Sequence, residues 1–255
     1  MPPFDLDAFQ RELLAWARER AVPAETVRYG REPEQELDLR PPAGEPREVG
    51  VVLLHGGFWR ERYRRDLMEA LAVDLARRGF ATCNVEYRRV GCGGGVPATL
   101  EDVAAAVARS RELLGGAPLV LVGHSAGGHL ALWGSGAPGV AAAVALAGVC
   151  DLAGAARDGL GAGAAAAFAG GTPDERPEAY AHADPLRRLP SAVPTLLVHG
   201  AEDDVVPPSQ SSRYAAAAGD RCELVELDGV GHFEPIDPRS DAWAAAAGWL
   251  ERYRA

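Results

Sequence analysis

The chain predicts an α/β fold, with a mostly parallel central sheet of about eight strands, helices on both faces and a short cap insertion. Three observations carry this. Apolar runs such as "VGVVLLHGG" and "PLVLVGHS" lack the polar alternation of a half-wet sheet. A helix-length segment follows each of them, and the alternation continues to the end of the chain. It is interrupted once, between about 153 and 190, by an alanine- and glycine-rich segment.

The elements follow in order. Over residues 5–20, Phe9, Leu13, Leu14 and Trp16 recur at three- and four-residue intervals, which predicts a short amphipathic helix. "TVRYG" and "QELDLR" read as two strands joined by a polar turn and ended by the breaker "PPAGEP". "VGVVLLHGG" is the first long apolar strand, and residues 63–78 form a helix that Gly79 stops. "FATCNVEYR", a helix over 98–114, "PLVLVGHS" and a helix from about 127 come next. After the strand "VAAAVALAGV" lies the cap of 153–190, where "AAAAFAG" and "PEAYAHA" can each make at least a helical turn. "TLLVHG", a helix over 209–218, "CELVEL" and a helix over 239–253 complete the pattern. At 255 residues the whole reads as one domain, 1–255, without internal repeats.

Composition narrows the function classes. A net charge of −10 and a pI near 5.1 repel phosphate backbones and anionic bilayers, so neither nucleic acid nor membrane is an expected partner. The opening "MPPFDLDAFQRELLAWARER" carries early acidic residues and does not read as a signal peptide. The apolar run "GVAAAVALAGVC" is about half the ~20 residues a membrane-spanning helix needs. The expectation is a soluble cytoplasmic protein, and the sequence leaves homodimer formation open. Cys83, Cys92, Cys150 and Cys222 are scattered with no CxxC pair, which predicts reduced thiols and no zinc site.

One stretch carries the chemistry. In "LVLVGHSAGGHLAL", Gly123-His124-Ser125-Ala126-Gly127 fits G-x-S-x-G at a strand-to-helix junction. The glycines let a sharp corner hold Ser125 in a strained conformation, with the next helix aiming its first N–H groups at the site. A serine hydroxyl needs a base, and the base an orienting acid, in the chain order Ser, Asp or Glu, His. Of the six histidines, only His232 lies beyond the last strand, in "DGVGHFE". "TLLVHGAEDDVVPP" offers Asp203 as the acid, with Asp204 its rival and a solvated turn residue by default. Asp151 is a weaker candidate, expected to cap the cap segment, and His199 precedes any suitable acid. The oxyanion donors expected are the backbone N–H groups of Ala126, Gly57 and Phe58, the last two from "LLHGGFW", whose loop His55 pins. Trp59, Phe58, Phe168 and His124 are candidate substrate contacts, with core packing the competing role for any aromatic.

Taken together, "HGGFW", "GHSAGGHLA", "HGAEDDVVP" and "GVGHFE" resemble the α/β-hydrolase superfamily over nearly the whole chain. They look most like the branch of kynurenine formamidase (arylformamidase) and the small carboxylesterases related to hormone-sensitive lipase. "EYR" (86–88), "GGTPDE" (170–175) and "DPLRRL" (184–189) are also similar to connecting stretches of that branch. The resemblance implies a Ser125–Asp203–His232 triad acting through an acyl-enzyme on a small ester or aryl-formamide, with no metal or organic cofactor. General carboxylesterase or peptidase-like activity is the alternative; acyl transfer and a non-catalytic binding role on the same fold are the more distant ones.

Overall fold

A computed structural model describes residues 5–252. One eight-stranded sheet runs through it in the order β1-β2-β4-β3-β5-β6-β7-β8. Its strands are β1 (Glu25–Arg28), β2 (Glu36–Arg40), β3 (Gly50–Leu54), β4 (Ala81–Val85), β5 (Leu119–His124), β6 (Val140–Leu146), β7 (Thr195–Gly200) and β8 (Cys222–Leu227). β1 and β2 pair antiparallel, as does β2 with β4; every other pair is parallel. The α/β-hydrolase fold expected from the strand pattern is therefore present.

The helices are α1 (Leu6–Glu19), α2 (Glu69–Arg77), α3 (Ala98–Leu113), α4 (Ala126–Gly134), α5 (Leu152–Arg157), α6 (Leu160–Ala169), α7 (Pro177–Ala183), α8 (Ser209–Ala218) and α9 (Asp241–Arg252). Successive side chains of a strand point to opposite faces, and the two cores divide accordingly. Val51, Leu53, Val120 and Val122 join Leu13 of α1, Leu71 of α2 and Trp243 of α9. Val52, Leu54 and Leu121 join Val103 of α3, Leu130 of α4 and Phe168 of the cap. With both faces covered, β3, β5 and β7 are buried at every residue, which is why their sequences do not alternate.

Some boundaries differ from the sequence expectation. The helix expected over 63–78 is a 3₁₀ turn, Arg65–Met68, running into α2. The strand "VAAAVALAGV" ends at Leu146, where the chain turns toward the cap. Position 253, the expected end of the last helix, lies outside the described residues. The cap itself is helical, formed by α5, α6 and α7. Asp151 caps α5 by accepting from Gly154 N at 2.7 Å. The four cysteines are free, Cys83 and Cys222 lying within strands. Among the described residues no helix is long and apolar enough to cross a membrane.

Candidate active site

Parallel strands deliver their following loops to one rim of the sheet, where ligands bind in open α/β folds. Ser125 follows β5 there. Its backbone, at φ 55° and ψ −117°, occupies a region non-glycine residues rarely adopt. Ser125 N donates to Leu146 O (2.9 Å), while its carbonyl accepts from His129 N and Val149 N, both at 3.2 Å. A Cβ on Gly123 would run into the Gly127 carbonyl, and one on Gly127 into the Leu54 carbonyl of β3. The small residues of the motif are thus fixed by the tightness of the corner.

Asp203 and His232 meet on the same rim. His232 Nδ1 donates to Asp203 Oδ2 at 2.7 Å. Asp203 Oδ1 accepts from Val205 N (2.9 Å) and Val206 N (2.8 Å), so the turn fixes the carboxylate orientation. Burial alone would raise the Asp203 pKa. The hydrogen bonds from His199, His232 and Val206 outweigh it and hold the carboxyl well below the usual carboxylate range. The two loops are also zipped together by Glu202 N to Val230 O (3.0 Å) and Ala201 N to Leu227 O (2.9 Å). Asp204 is exposed, as expected of a solvated turn residue.

The histidine loop is joined to the serine corner through His124. Its Nε2 donates to the His232 carbonyl at 2.9 Å, and the two ring centroids are 4.8 Å apart. The Cβ position of Gly56 lies 2.9 Å from His124 Nδ1 and 3.1 Å from Ser125 Cβ, which brings the loop after β3 to the same place. Burial pushes the His124 pKa down to about 3, so the ring stays neutral and keeps one N–H for that carbonyl.

The loop after β3 runs through three consecutive left-handed residues: Gly57 (φ 107°), Phe58 (φ 56°) and Trp59 (φ 54°). Among the described residues the N–H groups of Gly57, Phe58 and Ala126 donate to no protein acceptor, leaving all three free for a ligand oxygen. His55 anchors the loop from below, with Nδ1 2.7 Å from Gly56 O and Nε2 2.9 Å from Glu86 Oε1. Tyr87 stacks on His55 and donates its hydroxyl to the His55 carbonyl at 2.7 Å. Glu86, fully buried, also accepts from Arg65 N (3.1 Å) and pairs with the Arg89 guanidinium. A buried carboxylate needs that many donors.

The candidate substrate contacts separate. Trp59 and Phe168, only 2% and 1% exposed, stack at 4.7 Å and 19° inside the core, with His129 edge-on to both. They are not an open wall, because the cap helix α6 brings Phe168 down onto the loop after β3. Phe58 is half-buried against Gly161 of α6, and Arg60 donates to the Gly161 carbonyl at 2.6 Å. His124 serves as a tie between loops. His199, set aside in the sequence for preceding the acid, has its Nε2 3.2 Å from Asp203 Oδ2. Its place four residues before Asp203, at the end of a strand, was the available signal. Glu86 was visible only as part of "EYR".

The model of the prolyl oligopeptidase family matches residues 76–251. A truncated carbohydrate esterase from gut microbiota is similar in structure at 20% identity and a TM-score of 0.77, covering 90% of this chain and 96% of that one. A thermophilic esterase of the planctomycete Thermogutta terrifontis is similar at 22% identity and TM-score 0.69, covering 91% and 92%. A Silicibacter sp. protein described as a candidate thioesterase gives 21%, 0.73, 95% and 94%. No curated protein sequence matches the chain.

Proposed function

The chain belongs to the prolyl oligopeptidase family, and from that premise we propose that it is a serine hydrolase cleaving small carboxylic esters through an acyl-enzyme. The observation that carries this is the bond from His232 Nδ1 to Asp203 Oδ2 at 2.7 Å, in a loop that His124 ties to the corner bearing Ser125. Nδ1–H faces the carboxylate, so Nε2 is the basic nitrogen. Ser125 attacks the acyl carbon as His232 takes its proton, and the N–H groups of Ala126, Gly57 and Phe58 receive the negative oxygen. His232 then gives the proton to the leaving group. Water repeats the sequence on the acyl-enzyme, with His232 again the base.

On this reading the acyl side is small. Ser125 precedes α4 and His129 lies one turn into it, and the buried Trp59–Phe168 stack packs against His129. Acetyl to butyryl groups are then better substrates than long chains. A formyl group is smaller still, and the likeness of "HGGFW" to the formamidase branch supports aryl-formamide cleavage as the second reading. Similarity to esterases of known structure supports the ester reading, and the family name agrees with acyl transfer to water from an amide as well. We place the protein in the cytoplasm, acting as a single domain.

Hydrolysis of p-nitrophenyl acetate, butyrate and octanoate beside N-formylkynurenine tests both. The expected result is turnover of the two short esters, little with octanoate, and at least ~10³-fold loss in Ser125→Ala. Full activity in Ser125→Ala would end the reading. Formamide turnover above that of the esters would select the second one.

A further inference from the structure

We infer that His199 is a positioning residue for the Asp203–His232 couple, sharing the carboxylate oxygen that serves the base and thereby setting the pH range in which His232 works. The inference rests on the proposed serine-hydrolase reading. Three contacts define it. His199 Nε2 lies 2.9 Å from Val206 O and 3.2 Å from Asp203 Oδ2. His199 Nδ1 lies 2.7 Å from Ser211 Oγ. Both groups facing Nε2 are acceptors only, so Nε2 carries the hydrogen, donating it to Val206 O with its positive edge beside Asp203 Oδ2; Nδ1 is then the acceptor for the Ser211 hydroxyl.

The consequence falls on Asp203 Oδ2. It accepts the N–H of His232 at 2.7 Å, and the Nε2–H edge of His199, whose bond goes to Val206 O, lies against it at 3.2 Å. A carboxylate oxygen with a second N–H edge against it is less basic, and so stabilises an imidazolium at His232 less than an oxygen facing His232 alone would. Sharing keeps His232 deprotonated, and able to accept the serine proton, to lower pH. The arrangement is built rather than incidental. His199 is fully buried at the end of β7, and Ser211, also fully buried, holds it from α8.

Other ionisable groups face this chain of bonds from each packed element. Cys150, after β6, lies 3.9 Å from Ser211 Oγ with its thiol pushed up by burial to about 12. His124 from the serine corner is held neutral by burial. Glu226 of β8 pairs in register with His199, Glu202 and Asp204 flank Asp203, and Glu234 accepts from Gly231 N beside His232.

The test follows reaction of Ser125 with a fluorophosphonate probe between pH 5 and 9, a readout that needs no knowledge of the natural substrate. In His199→Phe the acid limb of the profile is expected to move up by about half a pH unit, roughly a threefold change in the proton equilibrium. His199→Gln, which keeps a side-chain N–H near Nε2, is expected to return the limb most of the way. A folded His199→Phe protein whose profile superimposes on the wild type would overturn the inference. Nitrogen-15 NMR of the unaltered protein tests it without a variant: the His199 proton belongs on Nε2, and finding it on Nδ1 would overturn it as well. Absence of any labelling in the wild type would sink the serine-hydrolase reading itself, a distinct failure.

Discussion

The two sides of Ser125 are held in different ways. On one side the Asp203 turn and the His232 loop are fastened by backbone ladders and by charge-assisted bonds at 2.7 to 2.9 Å. On the other, the loop of 55–60 rests on a buried polar base, but its contact with the cap consists of aromatic packing and an exposed arginine bond. The cap there passes through left-handed residues, Gly161, Ala162 and Gly163, which break α6 near its start. On the proposed mechanism the first is the proton-handling side, with fixed geometry, and the second the acyl side, closed by packing whose shape a few side chains decide.

Substitutions should therefore differ in kind across this divide. On the fixed side, Asp203→Asn is expected to cut kcat by about 10²–10⁴ while thermal stability changes little, measured by steady-state kinetics and a melting curve. A loss under tenfold would mean that the carboxylate does not orient His232. On the packed side, Phe168→Ala is expected to move the preferred ester from acetate toward octanoate by about tenfold in relative kcat/KM. It should also cost about 3–5 kcal/mol in stability, because Phe168 is 1% exposed. An unchanged chain-length profile would remove the Trp59–Phe168 stack from the acyl side.

Acid should unfold the protein before it titrates Asp203. Burial holds His124 at about 3 and His129 at about 4, against 6.5 for the unfolded chain. Between those values the unfolded state binds more protons, so stability falls as pH drops from about 6.5 toward 4, on the order of 1–2 kcal/mol per histidine at pH 5. A melting temperature constant from pH 7 to 5 would contradict this. The smallest expected effect is that of Arg60→Ala, which removes the bond to the Gly161 carbonyl. KM should rise two- to threefold with kcat nearly unchanged, the bond being exposed and worth about 1 kcal/mol. A fall in kcat instead would show that the cap acts on the loop proposed to receive the oxyanion.

Much of this was legible because steric demands leave marks in sequence. Gly123 and Gly127 flag the corner at Ser125, and unbroken apolar runs flag β3, β5 and β7. Asp203 stands three residues after Gly200 and three before Val206, a spacing at which its carboxylate turns back to Val205 N and Val206 N. Other features leave no such mark. An aromatic that lines a pocket and one that fills a core read alike, so Trp59 and Phe168 were expected at a wall and lie inside. His199 carried only a faint mark, its place four residues before Asp203 at the end of β7, because the tight turn there, not the chain order, brings residue 203 back beside residue 199.

His124 touches the serine corner, the glycines after β3 and the His232 carbonyl through a single uncharged ring. Such a keystone leaves no room for a half-assembled centre. Heating or denaturant that loosens one of the three loops should disconnect the others at the same step, so catalytic competence and the burial of this imidazole should vanish together, on one curve.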